Sequence, residues 1–65
     1  MTKYQERIEI HYCMCKRGML TALEANSWVS GYLAALRDAE IIDEEQQGQM
    51  AQEFVTKIFA LKTTA

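Results

Sequence analysis

His11-Tyr12-Cys13-Met14-Cys15 is the one stretch of this chain that gathers ligand-type and nucleophile-type side chains. On a β-strand, alternation sends the imidazole and both sulfurs to one face, and that donor set suits Zn or Cu(I). Three donors are one short of a closed structural zinc site, so Glu9 or a second copy would have to supply the fourth. On a helix, positions two apart point about 200° away from each other and the set disperses. Cys13 and Cys15 then read as small apolar residues and His11 as an interface-edge residue. Nucleophilic catalysis asks for more than this stretch holds. A reactive thiolate needs a base and the base needs an orienting partner, whereas the chain has a single histidine. No catalytic, cofactor-binding or metal-ligating residue is expected, and an enzyme is the weakest reading.

Two charged groupings are the next candidates. Asp38, Glu40, Asp43, Glu44 and Glu45 cluster around one predicted turn. They lack the ligand spacing and glycine placement of a calcium loop, and read as a helix cap with a solvated loop. Lys3, Arg7, Lys16 and Arg17 could form a basic patch for nucleic acid. Against this, the formal charge is −2, too balanced for a strong electrostatic hold on phosphate. The last predicted helix also opens on Asp43-Glu44-Glu45, where a recognition helix would place basic or amide side chains, and its lysines, Lys57 and Lys62, lie at the far end. A nucleic-acid-associated regulator using the N-terminal patch is kept as the alternative reading, with a thiol or metal site at His11, Cys13 and Cys15 as the third.

The elements that position these residues are helices. Zero prolines and three glycines disfavour a turn-rich β architecture. Thr21-Ala22-Leu23-Glu24 and Asp43-Glu44-Glu45-Gln46 fit the reciprocal capping pattern of a helix start, and Thr2-Lys3-Tyr4-Gln5 fits as a third copy. Gly18 suits a left-handed helix stop, with Lys16 and Arg17 complementing the negative helix end. Ala25, Val29, Tyr32, Leu36 and Ala39, then Ala51, Phe54, Ile58 and Leu61, recur at three- and four-residue steps. These patterns predict helices near 22–39 and 44–62. Residues 3–16 satisfy two patterns: a helical stripe of Tyr4, Ile8, His11, Tyr12 and Cys15, and a strict strand alternation of Ile8, Ile10, Tyr12 and Met14. The helix is preferred, because a strand would need a pairing partner and no other segment reads as one. An offset of 22 residues also lays Met19-Leu20-Thr21 on Ile41-Ile42-Asp43 and Glu24 on Gln46, which points to similarly built helices.

The fold class is thus all-α, a small bundle of two to three helices in a single domain over residues 1–65. At 49% hydrophobic and 25% charged, the composition is that of a folded domain rather than a disordered tail. No apolar run is long enough for a membrane span. The opening Met1-Thr2-Lys3-Tyr4-Gln5-Glu6-Arg7 does not resemble a secretory signal, so a cytoplasmic location with reduced thiols is expected.

What remains in excess is apolar surface. A 65-residue chain buries only about 60% of the area its unfolded form exposes, and such domains often gain stability by association. Read helically, the first segment is apolar around more than half its circumference, more than a bundle face requires. Tyr12, Met14, Met19, Trp28 and Tyr32 are residue types enriched at protein interfaces. Ser27, Gly31 and Ala35 form a ridge of small side chains that lets another backbone approach. The functional expectation is a non-enzymatic interaction module, an adaptor, inhibitor or regulator, acting as a homodimer. Its interface would use Tyr12, Met14, Met19, Trp28, Gly31 and Tyr32, with Arg7, Lys16 and Arg17 at the rim.

Overall fold

The computed structural model describes residues 2–64, with side chains through residue 61, so the side chain of Lys62 lies outside the described residues. Three helices form: α1 (Lys3–Lys16), α2 (Ala22–Asp38) and α3 (Glu44–Thr64). No strand occurs among the described residues, so the first segment resolves as helix. The bundle measures 37 × 20 × 18 Å, with α3 its longest element.

Each helix starts with the reciprocal cap that its sequence encodes. The Gln5 amide donates to Thr2 Oγ1 at 3.3 Å while the Thr2 amide donates to Gln5 Oε1 at 2.9 Å. Thr21 and Glu24 repeat the exchange at 3.1 and 2.9 Å, and Asp43 and Gln46 at 2.8 and 3.0 Å. Each box satisfies two amide donors that would otherwise have no helical partner. The Thr21 amide and hydroxyl hold the Glu24 carboxyl below the usual glutamate range, because both favour its charged form.

The two helix stops are copies of one motif. After α1, Gly18 adopts a φ of 80°, its amide donates to the Cys15 carbonyl, and the Met19 amide donates to the Met14 carbonyl. After α2, Glu40 adopts a φ of 61°, with Glu40 donating to Arg37 and Ile41 to Leu36. Both are Schellman stops with a left-handed residue, and they lie 22 residues apart. The second places a side chain where glycine is preferred. Glu40→Gly is therefore expected to raise stability by about 0.5–1 kcal/mol in urea melts, whereas Gly18→Ala lowers it by a similar amount.

Burial concentrates on α2 and α3. Ala22, Ala25, Val29, Leu33 and Leu36 of α2 meet Phe54 and Ile58 of α3, with Ile42 folding in from the connecting turn. The α2 stripe is centred on Leu33, while Tyr32 is half-buried at its edge and Ala39 is exposed where the chain leaves the helix. Arg37 clasps the second turn, pairing with Glu44 at 3.9 Å and donating to Gln47 at 3.3 Å. By contrast, α1 has no buried residue: Tyr4, Ile8, Tyr12 and Cys15 pack on the core half-covered.

Candidate interaction face

Helix α1 turns by about 100° per residue, so neighbouring side chains go to different helices. His11 points to α2, where its ring stacks on Trp28 with centroids 3.5 Å apart and planes at 15°. Trp28 in turn stacks on Tyr32, one helical turn along, at 4.8 Å. His11 Nδ1 donates to the Arg7 carbonyl at 2.8 Å, since a carbonyl oxygen only accepts, and this fixes the imidazole against the indole. The result is a column of three rings along the α1–α2 groove, with Trp28 39% exposed. Aromatic stacking beyond area burial contributes about 0.5–1.5 kcal/mol per pair, so the column both docks α1 and presents a rigid apolar surface.

Tyr12 goes the other way. Lys57 of α3 sits over its ring at 4.3 Å and also pairs with Glu9 at 3.2 Å. One lysine thus clamps α1 to α3 through two side chains, and the structure assigns Tyr12 to this side rather than to the Trp28 column.

Met14 and Met19 do come together. With Ile10, Cys13, Arg17, Glu6 and Glu9 they line an open groove of about 480 Å³ along the outer side of α1. Ile10 is 50% and Met19 64% exposed, so two large apolar side chains face solvent along this groove. A second groove, between α1 and α3, is lined by Ile8, Met50 and Phe54 with Gln5, Glu9, Glu53 and Lys57. Gly31 is exposed on α2, and a methyl added there would meet no atom within 4 Å. Among the described residues, none uses the close approach that its missing side chain permits. At the expected rim, Arg7, Lys16 and Arg17 are all exposed. Lys16 lies about 100° around the helix from Arg17, away from the groove that Arg17 borders.

Of the nine expected residues, the structure gathers Trp28 with Tyr32 and Met14 with Met19, and leaves Tyr12 and Lys16 on other sides. Ile10 and the stacking role of His11 were outside the expected set. Ile10 could have been found from the helical reading of residues 3–16, which puts it beside Met14. The Lys57 clamp joins residues 48 apart, and no local pattern announces it. His11, Cys13 and Cys15 are dispersed by the helix, and no group of three or more potential metal-binding His, Cys, Asp or Glu side chains occurs among the described residues. Both cysteines are free thiols. No helix is long and apolar enough to cross a membrane among those residues. Comparison with protein-family models, with curated proteins and with solved structures finds no match to this chain.

Proposed function

We propose that this chain is a non-enzymatic protein-interaction module that associates with a second copy of itself through the α1–α2 face, in a reducing, cytoplasmic setting. The observation that carries this reading is Trp28: a large aromatic, held between two rings yet more than a third exposed, with exposed Ile10 on the neighbouring helix and exposed Met19 just past that helix's stop. Tryptophan is among the residue types most enriched at the energetic hot spots of protein interfaces. In an adaptor, inhibitor or regulator of this kind the apolar centre supplies affinity and the basic rim supplies orientation.

Sedimentation across a concentration series tests it. The wild type is expected to pass from 7.5 kDa to twice that mass as concentration rises. Trp28→Ala should weaken the dimer at least about 30-fold, the effect of losing roughly 2 kcal/mol at an anchor. A folded wild type that stays monomeric at every concentration would remove the homodimer. Lys3, Arg7 and Arg17 are all exposed on α1, which keeps a nucleic-acid reading as the second choice. A salt-dependent shift on mixed-sequence DNA is the result that would favour it.

A further inference from the structure

The α1–α2 face carries two parallel stripes whose charges are opposite. On α1, Lys3, Arg7, Ile10, Met14 and Arg17 step by four, three, four and three residues, and so share one side of the helix. On α2, Glu24, Trp28, Gly31, Ala35 and Asp38 step identically. Every member of both stripes is exposed except half-buried Met14. The His11–Trp28 stack fixes which side of α1 meets α2, and the α1 stripe lies just outward of His11, on the outer side of the α1–α2 pair. Each stripe has an uncharged centre. The α1 stripe ends in cations at both extremities, and the α2 stripe ends in carboxylates at both. None of Lys3, Arg7, Arg17 or Asp38 has an ion-pair partner among the described residues.

Resting on the homodimer reading above, we propose that the second copy docks with its dyad parallel to the helices, so that α1 of each copy lies antiparallel on α2 of the other. The alternative dyad, perpendicular to the helices, sets α1 on α1 and α2 on α2. It would bring cation to cation and carboxylate to carboxylate, an arrangement penalised at every corner. With the parallel dyad, heights along the bundle are preserved and the corners match. Measured from the His11–Trp28 level at 1.5 Å per residue, Lys3 lies about 12 Å and Asp38 about 15 Å toward the same end. Arg17 lies about 9 Å and Glu24 about 6 Å toward the other. Lys3 therefore meets the other copy's Asp38, and Arg17 its Glu24, to within about 3 Å in height. Between the corners, Ile10 of one copy comes to within about 3 Å in height of Gly31 of the other. The open space above Gly31 receives the larger side chain, which accounts for a glycine inside a helix that would otherwise be weakened by it.

Charge reversal at one corner tests the arrangement. Lys3→Glu and Asp38→Lys each improve the complement to the local helix dipole, so neither is expected to harm the fold, which circular dichroism checks. Each reversal acts at two symmetry-related contacts, turning attraction to repulsion, and should raise the dimer dissociation constant roughly tenfold at low salt. The double variant restores opposite charges and should return to within about threefold of wild type. If the wild type dimerises but the single variants do not weaken it, or the double variant fails to recover, the proposed arrangement is overturned while the homodimer stands. If the wild type is monomeric throughout, the homodimer falls and the arrangement with it.

Discussion

Ile58→Ala is expected to leave much of the protein unfolded at 37 °C. Ile58 is 0% exposed and shares one core cluster with Leu33 and Val29, in a core of eight buried hydrophobic residues among the described ones. Truncating a fully buried isoleucine costs about 2–5 kcal/mol, from lost transfer energy and the cavity left behind. A domain of this length has roughly 3–10 kcal/mol in total. Since 1 kcal/mol moves the midpoint by about 4–8 °C at this size, thermal denaturation should shift down by at least about 10 °C. Adjacent isoleucines provide the control. Ile42 is 4% exposed and joins the core from the α2–α3 turn, whereas Ile41 is 54% exposed, its amide closing the α2 stop on the Leu36 carbonyl. Ile42→Ala should approach the Ile58 effect, and Ile41→Ala should cost less than about 1 kcal/mol. Equal losses at the two positions would mean that the core is not where the structure places it.

Much of this fold was legible because its helix boundaries are written locally. Three capping boxes, a glycine stop and two apolar stripes each reside within a few residues, and all three helices begin where their caps predicted. Even the unusual stop at Glu40 was accessible in principle, since the 22-residue offset that aligns Thr21 with Asp43 also aligns Gly18 with Glu40. The first segment was ambiguous for a physical reason: Ile8, Ile10, Tyr12 and Met14 alternate like a strand while Tyr4, Ile8 and Tyr12 recur like a helix. Only the absence of a pairing strand decided between them. The candidate face was legible in part. Trp28 and Tyr32 are one turn apart and had to be neighbours, but which ring of α1 would meet them depends on how α1 is rotated. His11 and Tyr12 were equivalent on paper, and the bundle sends one to Trp28 and the other to Lys57.

The uneven burial of the helices leads to the second large expectation, that α1 opens independently of the rest. Its amides should exchange with solvent at least tenfold faster than those at the centres of α2 and α3 in dilute solution, a gap of about 1.4 kcal/mol in opening free energy. No α1 residue is buried, and its attachments are half-covered aliphatic and aromatic contacts, the Trp28 stack and the Lys57 clamp. The clamp is solvent-exposed, and its ion pair and ring contact together contribute about 1 kcal/mol. The stack matters more, because Trp28→Ala removes the His11 ring contact that joins α1 to α2 and the apolar area that Trp28 covers on α1, roughly 2 kcal/mol. That variant should lower α1 protection about 30-fold or more, while Lys57→Met lowers it by less than about tenfold. If wild-type α1 exchanges with the same opening free energy as the α2–α3 core, the bundle is one cooperative unit and this expectation fails. Concentration adds an independent reading. A second copy bound across α1 and α2 stabilises the docked form by mass action, so α1 protection should rise with protein concentration in the wild type. In Lys3→Glu the same rise should set in only at higher concentration, because the loose helix is the one that the partner must hold.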